Sequence, residues 1–317
     1  EAPELRRELR KNPNFFRSSF WPDGQVRLSG REFSGLRQSP CYTHGDEAKQ
    51  IDCTSCHSMH VEGGKSSEAW RDDQLHDGMR GNLGCTQCHE EMSTPEGLQA
   101  HTHHAPGSSG SSCYNCHMGH TSVGLMKASR SHEITSPDVG VEVATGRPNA
   151  RNQCHLDRTL QWTAERLEAD WQVAPPSLNA EQREVAASVR WLLSGDAGQR
   201  MLAAWSYGWG PAQEASGDDW MAPYLGRLLD DPYYVVRFNA QRSLRSLSGY
   251  GGVLVNYNFV ADAAEQARFV GDVTKLWTSR YSGGMRPAVL MAARGLSRAR
   301  FDQLYARRDD RPVYIAE

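Results

Sequence analysis

The sequence predicts a mainly α-helical protein with two domains, a loop-rich domain over residues 1–174 and an α-helical repeat domain over residues 175–317. All eight cysteines and all twelve histidines lie at or before His155. The remainder contains neither residue type, and after Pro175 and Pro176 its apolar residues recur at helical spacing. Because the two halves differ in chemistry, we expect them to form separate domains.

The charge and hydropathy of the sequence bear on whether the chain binds nucleic acid or a membrane. The formal net charge of −3 does not favour nucleic acid or an acidic membrane surface. No apolar run approaches the roughly 20 residues of a membrane-spanning helix, so we expect no transmembrane segment. The chain opens EAPELRRELRK, which is charged and lacks the apolar core of a signal peptide. We expect either that a leader has been removed or that the chain is a segment of a longer precursor.

Six cysteines form three C-x-x-C pairs, and a histidine directly follows each pair. C-x-x-C-H is the attachment motif of c-type haem, in which two thiols add to the vinyl groups and the imidazole binds the iron. A disulfide framework or a zinc site does not need that histidine, and a thioredoxin-like pair needs a βαβ setting that is absent. We expect three haem c groups. Their cysteines are Cys53, Cys56, Cys85, Cys88, Cys113 and Cys116, and their proximal histidines are His57, His89 and His117.

A fourth motif has one thiol. Cys154 and His155 end the same pattern, but Arg151 stands where the first cysteine belongs. We expect a fourth haem here, held by one thioether from Cys154, with His155 as axial ligand and Arg151 available to pair with a propionate. Two alternatives stay open: Cys41 and Cys154 form a disulfide, or Cys41 reaches the second vinyl group.

Eight further histidines are available as distal ligands for bis-histidine iron. His60 and His120 each follow a proximal histidine by three residues, so on a helix each lies on a neighbouring face and would ligate a different haem. We expect distal ligands at His60, His104, His120 and His132, with His101 as the alternative to His104. We expect His44 and His76 to be surface or propionate-bonding residues. The methionines near the motifs are weaker candidates, namely Met59, Met79 and Met92.

Helical periodicity predicts helices over residues 181–193, 199–209, 220–229 and 233–247, with a further pair near 261–278 and 286–296. Pairs of leucines recur 36 residues apart, which is typical of stacked helical hairpins. The segment from Asp231 to Leu244 resembles the second helix of a HEAT-type repeat, a class that usually presents a surface to a partner. An irregular helical bundle is the alternative. We expect Trp205, Trp209 and Trp220 to lie in the core.

The chain resembles bacterial multihaem cytochromes related to the cytochrome c554 and pentahaem nitrite reductase superfamily, over roughly residues 15 to 250. The resemblance is carried by Ser39-Pro-Cys41, CTSCHSMH from Cys53, HTHH from His101, CYNCHM from Cys113, RSHEI from Arg130 and CHLD from Cys154. It implies that His132 and one histidine of residues 101–104 are distal ligands. Family members have C-x-x-C-H at the fourth site, so Arg151 is a departure from their pattern.

Three functions are compatible with these features. The first is electron transfer through closely packed bis-histidine haems. The second is catalysis by a multihaem oxidoreductase acting on nitrite, hydroxylamine or a similar nitrogen or sulfur species, which needs an open iron, most naturally at His89. The third, compatible with the first, is a subunit docked by its helical tail onto other redox proteins of a larger complex. Because thioether attachment takes place outside the cytoplasm, we expect a periplasmic or extracellular bacterial location.

Overall fold

The computed structural model describes residues 14–28, 30–44, 50–61, 66–123 and 126–313. They are mainly helical, which confirms the predicted fold class. No helix among them is both long and apolar enough to cross a membrane.

The chain divides into two compact units. The first, here called the motif unit, comprises residues 31–119 and 130–137. The second, the helical unit, is formed within residues 1–30, 120–129 and 138–317. The three C-x-x-C-H motifs lie in the motif unit, whereas Cys154 and His155 lie in the helical unit. The predicted domain boundary at residue 174 stays a prediction.

The motif unit is built from short helices separated by loops. Asp52 caps the turn that carries the first motif, and its carboxylate accepts hydrogen bonds from the backbone N–H groups of Thr54 and Ser55. The α-helices are Glu32–Leu36, Pro40–Thr43, Ser67–Asp72, Leu83–Thr86, Pro95–Thr102 and Cys113–His117. The 3₁₀ turns are Cys53–Ser55, Glu90–Met92 and Ser109–Ser111.

The described part of the motif unit has very little apolar core. Its buried apolar side chains are Leu36, Met79 and Cys113. The large hydrophobic core of the protein is made by residues of the helical unit. Because folding of a domain needs buried apolar area to offset chain entropy, the motif unit requires another source of apolar contact.

The helical unit contains longer, well-capped helices around that core. Its α-helices are Phe15–Ser19, Val139–Thr145, Ala150–Cys154, Leu160–Trp171, Ala180–Glu184, Ala187–Ser194, Ala197–Tyr207, Gly210–Ser216, Ala222–Arg227, Tyr234–Ser246, Ala263–Arg280 and Arg298–Tyr305. The 3₁₀ turns are Leu228–Asp230, Gly252–Leu254 and Pro287–Val289. Two two-stranded sheets pair His120–Val123 with Lys127–Arg130 and Met291–Ala292 with Gly295–Leu296, the second antiparallel with Met291 opposite Leu296.

Most of the predicted helices are present, with two differences. The predicted helix over 181–193 is interrupted at Val185, whose extended backbone separates two shorter helices. The predicted helix over 286–296 is wrong. Leu290 and Gly295 there adopt left-handed φ angles of 57° and 101°, so the segment forms a turn and a short ribbon.

The helix Ala197–Tyr207 packs against Ala187–Ser194 and Tyr234–Ser246, which is consistent with stacked hairpins. A HEAT-type repeat itself stays a prediction. Trp220 is fully buried and Trp205 is nearly so, while Trp209 packs at the edge of the core.

A buried ion pair lies within the helical unit. The guanidinium of Arg200 donates to both carboxylate oxygens of Asp231, at 2.7 and 3.2 Å, and both side chains are fully buried. Arg200 also donates to the backbone carbonyls of Gly195 and Asp309, at 2.8 and 3.0 Å. Because nearly every donor has an acceptor, the charge is tolerated inside the core.

Replacement of Asp231 by alanine tests this arrangement. Asp231→Ala leaves the buried guanidinium of Arg200 without its carboxylate, so we expect the free energy of unfolding to fall by about 3–5 kcal/mol in chemical denaturation. Asp230→Ala is the matched control, because Asp230 pairs with Arg227 at the partly exposed surface and its loss should cost about 0–1 kcal/mol. Equal losses for the two variants would contradict the assignment.

Candidate functional site

The four cysteine motifs adopt the same tight turn. The backbone N–H of His57 donates to the carbonyl of Cys53 at 2.9 Å, and that of His89 donates to Cys85 at 3.0 Å. The third motif forms the helix Cys113–His117. In the fourth, the N–H of His155 donates to the carbonyl of Arg151 at 2.8 Å. Arg151 therefore occupies the place of a first cysteine in the backbone as well as in the sequence.

None of the eight cysteines forms a disulfide in the structure, Cys41 and Cys154 included. A hydrogen bond joins the thiols of Cys85 and Cys113, raising the pKa of Cys85 and lowering that of Cys113. The attachment points of the second and third motifs are therefore adjacent. Cys41 lies in the motif unit, and burial raises the pKa of its thiol. The thiol of Cys154 lies 3.5 Å from the carbonyl oxygen of Pro211 within the helical unit.

Two proximal histidines each face a second imidazole. The ring centres of His57 and His132 are 6.2 Å apart with an interplanar angle of 25°. Those of His117 and His101 are 6.0 Å apart with an angle of 16°. Two imidazoles that bind one metal ion at about 2 Å each place their ring centres about 6 Å apart. The ring-centre spacing of each pair therefore matches that of two imidazoles bound to one iron atom.

The protonation state of these imidazoles suits metal binding. Burial lowers the pKa of His101, His117 and His132 below the usual histidine value, which favours the neutral ring. Nδ1 of His117 lies 3.1 Å from the carbonyl oxygen of Thr135. Because a carbonyl can only accept, Nδ1 carries the proton, and the lone pair of Nε2 is available to a metal.

The backbone around His132 is held in place by Ser39. The Ser39 hydroxyl donates to the carbonyl of His132 at 2.9 Å and accepts from the backbone N–H of Ile134 at 2.9 Å. Ser39 is fully buried. The Ser39-Pro-Cys41 segment, which the sequence singled out, thus positions a candidate ligand far along the chain.

The other predicted ligands have different surroundings. His104 Nδ1 lies 2.6 Å from the carbonyl oxygen of Thr102, and the ring of His101, the alternative to His104, lies near that of His117. His60 is exposed, and its carbonyl accepts from the Ser58 hydroxyl at 2.6 Å. His76 Nε2 lies 3.1 Å from the carbonyl of Thr54, inside the first motif. His44 contacts the neighbouring Thr43 hydroxyl.

A buried polar network fixes the turn of the fourth motif. The side chain of Asn152 is fully buried, and it donates to the carbonyl of Arg158 at 3.0 Å and accepts from the hydroxyl of Thr163 at 2.7 Å. The side-chain amide of Asn149 donates both to the side-chain oxygen of Asn152 and to a carboxylate oxygen of Glu142. Burial raises the pKa of this Glu142 carboxyl. The turn therefore keeps its shape through the protein's own hydrogen bonds.

Aromatic side chains surround the residues of the fourth motif. The ring of His155 lies 5.0 Å from that of Trp162. The Gln153 side chain accepts from the backbone N–H of His120 at 2.8 Å and donates to its carbonyl at 3.0 Å, which fastens His120 next to the motif. The His120 ring packs against both Trp205 and Trp209, with ring centres 4.3 and 4.8 Å away.

The donor set fits haem c. Three motifs each supply two thiols and a histidine in one turn, two of those histidines have a second imidazole about 6 Å away, and the described part of the unit that holds them has very little apolar core. The described residues contain no group of three or more histidine, cysteine or carboxylate side chains placed to hold a metal ion.

Comparison of the chain with protein-family models, curated proteins and solved structures gives no significant match in any of the three. The resemblance drawn from the motifs therefore stays an interpretation of the sequence.

Replacement of Asn152 by alanine tests the network at the fourth motif. Asn152→Ala removes the side-chain hydrogen bonds of Asn152 to Thr163, Asn149 and Arg158, each worth about 0.5–1.5 kcal/mol, so the melting temperature should fall clearly. Gln161→Ala is the control, since Gln161 bonds only Glu165 at the exposed surface of the same region. If both variants melt at the same temperature, the network does not hold the turn.

Proposed function

We propose that the chain is an electron-transfer multihaem c-type cytochrome. Three haem c groups would be held by the complete motifs, and a fourth by Cys154 and His155. When bound, haem c supplies a one-electron carrier that cycles between ferric and ferrous iron. The observation that carries the proposal is the pairing of His57 with His132 and of His117 with His101 at a spacing that accepts one iron atom.

The residues have distinct roles in this proposal. His57, His89, His117 and His155 are proximal ligands. His132 and His101 are the distal partners of His57 and His117, so the distal assignment changes from His104 to His101. His120 is fastened beside Cys154 through Gln153, which makes it the candidate for the fourth site. The partner of His60 stays a prediction.

The arrangement supports electron transfer over catalysis at the first and third sites. Imidazoles on both sides leave no iron position open there to a substrate. The thiols of Cys85 and Cys113 are in contact, so the haems of the second and third motifs would be attached at neighbouring points. A short separation of this kind favours rapid exchange of electrons between the two haems.

Location and partners follow from the same chemistry. Thioether attachment places the protein in the periplasm or at the extracellular face, and the helical unit is the part available to dock redox partners. The motif unit would gain from the bound porphyrins the apolar contacts that its own side chains do not provide.

Intact-protein mass spectrometry of the loaded protein tests the haem count. We expect the mass of four covalently bound haems in the wild type and three in Cys154→Ser, because that variant lacks the only thiol of the fourth motif. Cys41→Ser is the matched control and should keep four, since Cys41 lies outside every motif turn. A wild-type mass with three haems would remove the fourth site from the proposal.

Electron paramagnetic resonance of the oxidised protein tests the distal ligands. His101→Ala removes the imidazole that faces His117, so we expect one haem to change from a low-spin to a high-spin ferric signal. His104→Ala is the control, and it should leave the spectrum unchanged because its ring contacts the Thr102 carbonyl. The reverse outcome would restore His104 as the ligand. A stoichiometric high-spin signal in the wild type would instead favour a catalytic oxidoreductase.

A further inference from the structure

The charges around the proximal histidines differ between the second and the fourth motif. Glu90 and Glu91 directly follow His89, and a carboxylate oxygen of Glu91 lies 3.9 Å from Nδ1 of that histidine. The His89 side chain is 54% exposed. Since iron binds the other ring nitrogen in this arrangement, Glu91 stands at the outer nitrogen of a proximal ligand.

The fourth motif has arginines in the corresponding region. The Arg151 guanidinium lies 4.9 Å from the ring centre of Trp171 and 5.7 Å from that of Trp162. Trp162 in turn packs against the ring of His155. Arg158 lies over the same Trp162 ring at 5.4 Å. These contacts fix cationic groups close to the proximal imidazole.

Acidic groups near the fourth motif offset only part of this charge. Asp157 lies 3.5 Å from Arg158 and 3.2 Å from Arg286. Arg286 also pairs with the exposed carboxylate of Asp219 at 3.2 Å. The described contacts around His155 thus involve three arginine and two aspartate side chains, whereas the charged groups directly after His89 are two glutamates.

The first and third sites lie between these extremes. Nδ1 of His117 faces the neutral carbonyl of Thr135. The Arg130 guanidinium donates to the carbonyl of Tyr114, at 2.7 Å, and to the side-chain oxygen of Asn115 within the third motif, so this site has one cation beside it where the fourth has Arg151 and Arg158. The first motif has His132 opposite His57.

These differences in charge stabilise the ferric and the ferrous state of a bound iron to different extents. Ferric iron carries one more positive charge than ferrous iron, so a nearby cation favours the reduced form. A carboxylate at the outer nitrogen of a ligating histidine makes the imidazole a stronger donor and favours the oxidised form. Exposure to water also favours the more highly charged ferric state, and His89 is exposed.

Building on the proposed function, we propose that Arg151 holds the reduction potential of the fourth haem above those of the other three, and that Glu91 makes the second haem the lowest. Arg151, which stands where the other motifs have their first cysteine, then acts on the reduction potential of the haem. An electron taken up by the chain would be most stable on the fourth haem, which belongs to the helical unit.

Spectroscopic redox titration of the loaded protein, with mediator dyes supplying and accepting single electrons, tests this order. Arg151→Gln should shift the ferric-to-ferrous ratio of the highest-potential component about tenfold toward ferric at fixed potential, which is about 59 mV for one electron. Arg151→Lys keeps the charge and should stay near the wild type. Glu91→Gln should raise the lowest midpoint, and Glu90→Gln, one residue away, should raise it less.

Cys154→Ser identifies the component that belongs to the fourth haem, because that component disappears with the haem. The inference is overturned if this component does not have the highest midpoint potential in the wild type. It is overturned as well if Arg151→Gln leaves that midpoint unchanged while the protein still carries four haems by mass. It is also overturned if Glu91→Gln leaves the lowest midpoint unchanged. A wild-type mass with three haems is a different result, since it defeats the proposed fourth site itself.

Discussion

The shortage of apolar contact in the motif unit is the constraint on which the proposed assembly depends. Only three buried apolar side chains are present in its described part, and its helices span one or two turns. Such a segment does not offset its own chain entropy by side-chain packing. Large apolar groups bonded to its cysteines would provide both the missing contacts and covalent links between distant parts of the chain. The same bound groups would then serve both electron transfer and the folding of the motif unit.

The fourth motif shows the opposite solution. Its turn lies in a unit with an extensive core, and the buried network around Asn152 and Asn149 orders it without any cofactor. Because this turn is already ordered, covalent attachment of a haem would not be needed to fix its shape. This is a physical reason why one thiol would suffice there. In the proposed assembly Arg151 stands at the position of the absent thiol, and its charge would act on the His155 imidazole beside Trp162.

Much of the candidate site was predictable because its signals are local. The proximal histidines follow from the spacing of cysteine and histidine within five residues, and all four turns form as that spacing requires. The longer helices of the second half follow from apolar periodicity. The predicted helix over 286–296 failed because left-handed backbone at Leu290 and Gly295 overrides a periodic pattern. The choice of His104 over His101 rested on no local signal, and the ring that faces His117 is that of His101.

By itself, the sequence determined the four motif turns with their histidines and the mainly helical class, because each depends on contacts between residues close in the chain. Only the tertiary structure decided which imidazoles face one another and which unit contains Cys154. The pairing of His57 with His132 requires the chain to return through the segment that Ser39 anchors. Such long-range pairing depends on packing and buried hydrogen bonds, and no short pattern of residues encodes it.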